Sequence, residues 1–467
     1  MVGRLPPRGW VATTDVRDRP GCACCVMTEG TERNAAAEAV MDDYDVIIVG
    51  ASIAGCTAAT AYGRAGLRVA LVERHRSPQA HKTLCGHFVL GGTHDVLERL
   101  DFWQPMVAHG AAVTSGLGMW TEHGWIVPRA DSTVPPAISL RRGKLDPLLR
   151  EIAAATPGVD LLLGHRVVEL FQDDAGGIRG VVTVSGEPGR EAGRTEFRAR
   201  LVVGADGHHS TVARLAEVPE DHAPNERFLF WTYYEGATMN GPGDGQVWPV
   251  GRDVAVCIRV DDGLTQVGVF PAKDRLPEFT AERQGAFDRF VGRLPDGPSL
   301  VGAQRVSNLI GTTDYPCIRR DPVPRPGLAL IGDAATASDP VPAVGCGWAF
   351  RSAAWLADAT AEPLAQGRDL HRALRGYRRA HRFIDTYDAL GRREALARPP
   401  SWLQQAIRAA AVSEPDISRR LAAFAMRAAP PSVLLNPKVM IRAAVRSRAP
   451  GPWGRRPAAA PNPSDRA

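Results

Sequence analysis

The chain has no uncharged apolar run of about 18 residues, so no membrane-spanning helix is expected. Its nearest approach, 46–62, is interrupted by glycines, Ser52 and threonines, with acids before it and Arg64 after it. The first forty residues lack an apolar stretch between a charged start and a cleavage site, which argues against a secretory leader. Strong charge imbalance is missing too. A net charge of +5 spread over 467 residues does not point to a nucleic-acid partner. Cysteine is scattered, at Cys22, Cys24, Cys25, Cys56, Cys85, Cys257, Cys317 and Cys346. That usage fits a reduced, cytoplasmic protein and excludes a disulfide framework. Cys22-Ala-Cys24-Cys25 has no second ligand pair at metal-binding spacing, so no metal is expected. The Gly-x-Ser-x-Gly elbow of serine hydrolases is also absent; Gly50 to Gly55 misses that spacing by one residue.

What is present is a chain with 44% hydrophobic and 23% charged residues, long enough for two or three domains around a large core. Its organising stretch runs from Asp43 to Arg74. Val46 to Val49 is a β-branched apolar run that predicts a buried parallel strand. The turn Gly50-Ala51-Ser52-Ile53-Ala54-Gly55 follows at once. A helical pattern continues from about Ala54 to Ala65 and stops at Gly66. Leu67 to Val72 predicts the second strand, ending on Glu73. This is a βαβ unit with a dinucleotide fingerprint in place. Gly50 permits the tight turn, Gly55 lets the helix sit close on the strand, and the helix N-terminus offers free N–H groups to a pyrophosphate. Glu73 stands where an acid takes ribose hydroxyls. Ser52 replaces the middle glycine, small enough for the backbone to approach a phosphate.

Residues 1–42 show no periodicity and are expected to be a disordered extension, with Met41 as a natural start just before the first strand. Helices are expected at His94–Leu100 and Lys144–Ala155, and strands at Asp160–Leu163, Arg166–Phe171, Ile178–Val184 and Glu196–Val203. The last of these runs into Asp206-Gly207, a second strand–turn–helix. Between Phe228 and Phe270, runs of alternating residues separated by turns predict an antiparallel sheet. A helix at Pro277–Phe290 follows. Gly327 to Ile331 is a further short strand, leading into Gly332-Asp333 and a helix from Gly345 to about Ala361. Helices at Leu370–Leu390, Trp402–Ala411, Ile417–Ala428 and Lys438–Val445 complete the pattern. Residues 450–467 read as a disordered tail, and the arginines at 442, 446, 448, 455 and 456 as solvated.

Three signals thus stand in order: GASIAG with Glu73-Arg74, then Ala205-Asp206-Gly207, then Ile331-Gly332-Asp333. Together they resemble the FAD-binding family of class A flavoprotein monooxygenases, which share the para-hydroxybenzoate hydroxylase fold. The resemblance spans about Asp43 to Arg393. It implies an α/β fold: a Rossmann-like FAD-binding domain, an antiparallel-sheet substrate domain and a C-terminal helical region. The corresponding boundaries are 43–222 and 318–395 for the two parts of the FAD domain, 223–317 for the substrate sheet and 396–449 for the terminal helices. It also implies a cofactor set. Gly50, Ser52, Ile53, Ala54 and Gly55 would form the pyrophosphate turn, with Glu73 and Arg74 at the ribose. Arg142, or its neighbour Arg141, would reach the cofactor from a helix start. Asp206-Gly207 would serve FAD and the nicotinamide donor, Gly332-Asp333 the ribityl chain, and Pro340 and Gly345 the isoalloxazine ring. Two positions depart from the common pattern: Thr336 stands where many members have histidine, and Val344 precedes Gly345 where glutamine is common.

The implied reaction uses NADPH or NADH to reduce FAD, after which one atom of molecular oxygen passes to an organic substrate. No catalytic nucleophile is required. His87, in Cys85-Gly86-His87, is the candidate acid or base, with a packed loop histidine as the plainer reading. Trp231, Tyr233, Tyr234 and Trp248 suggest a roof for an apolar, aromatic or polycyclic substrate. The rival functions are a reductase of the geranylgeranyl reductase type, a flavin halogenase and a non-redox FAD-binding protein. The halogenase Trp-x-Trp-x-Ile-Pro signature is absent; Trp125-Ile126-Val127-Pro128 is a partial echo.

Overall fold

Val46, Ile47, Ile48 and Val49 are all buried, as a strand covered on both faces demands. They belong to strand Asp43–Val49, which lies between Val69–Glu73 and Gly193–Gly204 and runs parallel to both. The computed structural model describes residues 43–127, 134–186, 193–434 and 436. The expected extension 1–42, the helix Lys438–Val445, the tail 450–467 and the arginines at 442, 446, 448, 455 and 456 lie outside the described residues.

Val159–Leu163 continues the parallel layer beyond Val69–Glu73, and Leu328–Leu330 pairs with Gly193–Gly204. Strand Gly193–Gly204 serves two layers. From Arg198 onward it pairs with Asp43–Val49. Its earlier half pairs antiparallel with Ile178–Ser185, which pairs in turn with Arg166–Gln172. Helix Ile53–Arg64 ends where Gly66 takes φ +80 and Leu67 N–H donates to Tyr62 O, a Schellman closure that delays the second strand to Val69. That helix packs on helix Gly345–Ala365, with the Tyr62 hydroxyl and Thr360 Oγ1 2.6 Å apart in the core. Helix His371–Ala395 is pinned to the same layer by Tyr377, whose hydroxyl donates to Leu330 O.

The second sheet is antiparallel over 229–270, but its order is not sequential. Leu229–Glu235 pairs with Thr265–Phe270, which pairs with Asp253–Arg259, which pairs with Gly245–Val250. The sheet then takes in an earlier segment: Leu117–Thr121 pairs in parallel with Gly245–Val250 and antiparallel with Gly124–Ile126. Helices cover one face, where Phe228, Phe230, Trp248, Phe279 and Phe287 form a core. The single helix expected at Pro277–Phe290 is two, Leu276–Ala281 and Arg283–Gly292. Glu282 breaks it at φ −148, and its carboxylate takes a bond from Arg289 about two turns later. Helices Trp402–Ser413 and Pro415–Ala425 pack Ala406, Ala410 and Ile417 against Ile126 of the annexed hairpin. A capping box of Ser401 and Gln404 starts the first of them.

Candidate active site

The turn after the first strand is as tight as its glycines require. Gly50 has φ +105, and a Cβ there would stand 2.6 Å from Ala205 O. A Cβ on Gly55 would stand 1.7 Å from Gly50 O. Only glycine lets the helix start this close to the strand end. Ser52 is the N-cap and its side chain makes no cap hydrogen bond, so the first-turn N–H groups face the cavity unclaimed. Glu73 is buried beneath the turn. One carboxylate oxygen accepts from Ala51 N and the other from His75 N, both at 2.9 Å.

Arg142 begins helix Arg142–Ala155 and is buried. Its guanidinium donates to Asp146 at 2.9 Å and to Ser52 Oγ at 2.6 Å, which sets a positive charge directly behind the turn. Arg141, the alternative, points elsewhere. It bonds Asp261 and Asp262 and lies over the Tyr233 ring. Two turns along the same helix, buried Arg150 donates to Ala51 O, Pro78 O and Ala80 O, tying the turn to the loop that follows Glu73. Sequence reasoning missed Arg150, although its spacing of eight from Arg142 puts both on one helical face.

Gly332 takes φ +57 where the chain passes between Ala54 and Ala349. Asp333 then points into the cavity, with Lys82 Nζ 2.8 Å from its carboxylate. Burial by itself would raise the Asp333 carboxyl, but Lys82 outweighs it and holds the group below its usual range. Lys82 sits in an irregular loop and carried no signal in the sequence. Asp206 differs from Asp333 in that both its oxygens are occupied locally, by Ser210 Oγ and by the N–H groups of Thr211 and Val212. It thereby holds the first N–H groups of helix Thr211–Leu215, whose N-cap is Ser210, and burial raises its carboxyl despite those bonds.

These groups meet in one cavity of about 590 Å³. All the expected cofactor residues line it except Gly55 and Gly332, which shape its wall from behind. At the far end the cavity reaches the open face of the antiparallel sheet, at Leu229, Trp231, Val256, Ile258 and Phe270. Strand alternation corrects the expected roof. Trp231 lines the cavity. Tyr233, on the same face, stands behind His87 with ring centroids 5.8 Å apart. Tyr234 and Trp248 fall on the opposite face, in the helix-covered core, and do not reach the cavity.

His87 is buried in the wall at φ 44. Its Nδ1 lies 3.1 Å from Cys85 O, and a carbonyl can only accept, so Nδ1 carries the proton. Nε2 is then a bare acceptor, and it has no partner. Burial lowers the imidazole, which keeps it neutral.

The donor set suits FAD. A glycine turn too tight for any Cβ and unclaimed helix N–H groups fit a diphosphate, a buried acceptor carboxylate fits sugar or ribityl hydroxyls, and an apolar end fits a flat ring. Among the described residues there is no cluster of metal ligands and no helix long and apolar enough to cross a membrane. A family model described as an FAD binding domain matches residues 43–230. A phenazine 1,6-dicarboxylic acid hydroxylase of Lysobacter antibioticus is 27% identical over 397 residues, covering 76% of this chain and 87% of its own. A digeranylgeranylglycerophospholipid reductase of Methanococcoides burtonii is 25% identical over 362 residues, covering 73% and 80%. The crystal structure of a probable FAD-dependent monooxygenase from Pseudomonas aeruginosa superposes with a TM-score of 0.63 at 22% identity, over 82% of this chain and 100% of that one. Turn, buried carboxylate, matched domain and relatives agree: residues 43–230 form an FAD binding domain, FAD is the cofactor, and the chain is similar to FAD-dependent hydroxylases and monooxygenases.

Proposed function

We propose that this chain consumes NADPH or NADH and inserts one oxygen atom, by hydroxylation or epoxidation, into an apolar aromatic or polycyclic small molecule in the cytoplasm. The observation that carries this reading is the continuity of the cavity. The wall around Asp333 and Gly345 runs without interruption onto the apolar sheet face at Trp231 and Phe270.

In this reading the turn from Gly50 to Gly55 and the Arg142–Asp146 pair hold the diphosphate of FAD, Glu73 and Arg74 its ribose end, and Asp333 its ribityl chain. Pro340 and Gly345 would serve the isoalloxazine ring, and Asp206-Gly207 would serve FAD and the nicotinamide donor. The cofactor supplies electron transfer and oxygen activation; the protein supplies position and a dry enclosure. Leu229, Trp231, Val256 and Phe270 keep water from the reacting end, which favours transfer to substrate over wasteful loss of oxygen. His87 Nε2 accepts the proton of a substrate hydroxyl, since it is the unprotonated nitrogen and lacks any other partner. Cys85 O holds that tautomer in place.

Likeness to an archaeal lipid reductase supports a second reading, in which the same cavity reduces a double bond. Isotope-labelled oxygen gas separates the two. A product carrying one labelled oxygen, with NAD(P)H consumption stimulated by substrate, is the expected result. A product that gains two hydrogens and no oxygen establishes the reductase, and retained FAD without any NAD(P)H oxidation establishes a non-redox role.

A further inference from the structure

The cavity wall holds two sulfurs that this reading does not use. Cys85 Sγ and Cys346 Sγ lie 3.5 Å apart, although 261 positions separate them in the chain. Cys85 belongs to the loop after Glu73, and Cys346 is the second residue of helix Gly345–Ala365. Both line the cavity. All the described cysteines, these two and Cys56, Cys257 and Cys317, are free thiols. Burial pushes Cys257 and Cys317 up to about 12 and Cys56 higher still, which leaves them inert.

The two sulfurs are unequal. A hydrogen bond from Cys346, with the cations of Arg142 and Lys82 nearby, holds the Cys85 thiol well below its usual range. That same bond, with burial, pushes Cys346 up. The anionic groups at this wall, Asp146 and Asp333, are each paired with one of those cations. Such an arrangement gives one nucleophilic sulfur beside one that resolves it. A disulfide needs the sulfurs at about 2.0 Å, a short closure from contact distance. The Cys85 side can supply it, because Gly86 next to it faces open space.

We propose that Cys85 and Cys346 form a peroxide-sensing dithiol that closes to a disulfide across the FAD cavity. The oxidant is hydrogen peroxide, the by-product of oxygen reduction that misses its substrate. Cys85 thiolate attacks one peroxide oxygen, the O–O bond breaks, and hydroxide leaves and is protonated to water. Cys346 then attacks the oxidised Cys85 sulfur, the S–S bond forms, and a second water leaves. Two thiols lose two electrons, and one peroxide becomes two waters. The bond ties the loop that carries Lys82 to the helix that begins at Gly345. Since Lys82 pairs with Asp333 inside the cavity, the cross-link holds that loop shut over the cofactor and slows FAD exchange.

The test uses the full-length, FAD-loaded protein treated with limiting hydrogen peroxide. Non-reducing peptide mapping should recover Cys85 joined to Cys346, reversed by dithiothreitol, with Cys56, Cys257 and Cys317 still thiols. Cys346→Ser should stop Cys85 at a sulfenic acid that dimedone traps. FAD release on dilution should be slower in the oxidised wild type than in the reduced protein, and unchanged by peroxide in Cys85→Ser. Recovery of Cys85 as a thiol, as a sulfinic acid without linkage, or joined to Cys22, Cys24 or Cys25 overturns the pairing. Equal release rates overturn the locking. Peptide mapping of the wild type needs no variant to fold, and neither readout depends on oxygen insertion, so failure here leaves the proposed reaction to its own test.

Discussion

Asp333 pairs with Lys82 at 2.8 Å, and under the proposed function the two would set the affinity for the ribityl chain of FAD. Asp333→Ala removes a charge-assisted bond of roughly 1.5–3 kcal/mol and should weaken FAD binding by about one to two orders of magnitude, read by fluorescence titration of the apoprotein. Unchanged affinity in a folded variant removes Asp333 from the site. His87 makes a pH prediction. Burial depresses its folded value below the unfolded value of about 6.5, so the unfolded chain takes up the proton first as pH falls. The stability it contributes is therefore complete above about pH 6.5 and is lost as pH falls through the folded value. In His87→Gln the melting temperature should fall less between about pH 7 and 5 than in the wild type. Some slope should remain, because burial also lowers His165 and His208. An unaltered slope shows that His87 titrates alike in the folded and unfolded chains. At this scale the motif residues were legible, because Gly50, Gly55, Glu73 and Asp333 are bound to fixed spacings from strand ends. Lys82 and the Cys85–Cys346 contact were not. Both arise where an irregular loop crosses a distant helix start, and no periodicity records that.

Among elements, the turn that starts helix Ile53–Arg64 tolerates least. Gly55→Ala forces a methyl group to 1.7 Å from Gly50 O, backbone against backbone. The helix must shift off the strand, at a cost of about 1–3 kcal/mol or more. Differential scanning of the apoprotein should show a clear drop in melting temperature, with FAD no longer raising it as in the wild type. A Gly55→Ala protein that melts and binds as the wild type does would falsify the close-approach argument. The antiparallel sheet shows what alternation does and does not reveal. A period of two separates Trp231 and Tyr233 from Phe230 and Tyr234, but it does not say which set faces the ligand. The helices Leu276–Ala281 and Arg283–Gly292 decide that by covering the Tyr234 face, and they lie beyond the strand in sequence. The sheet order was hidden for a related reason. Pairing of the first strand with the last, and of Gly245–Val250 with Leu117–Thr121, depends on contacts between remote segments.

For the whole molecule, the order of motifs along the chain made the fold class readable, while the annexed hairpin and the double use of Gly193–Gly204 were not visible in any local pattern. A chain trimmed to residues 41–450 is expected to retain FAD, and loss of binding would show that the removed ends contribute to the site. The interleaving of segments also bears on biosynthesis. The turn from Gly50 to Gly55 leaves the ribosome early, but Leu328–Leu330, Asp333 and helix Gly345–Ala365, which complete the same layer, are made more than two hundred residues later. Contacts this distant close slowly, and chains emerge at roughly 5–20 residues per second, so the nascent protein must wait tens of seconds with its first βαβ unit uncovered. The apolar face of helix Ile53–Arg64, later buried by helix Gly345–Ala365, is the surface a chaperone would meet during that wait. Nascent chains arrested before residue 365 should fail to capture FAD and should be protease-sensitive, whereas release of the full chain should bring FAD uptake and protection together.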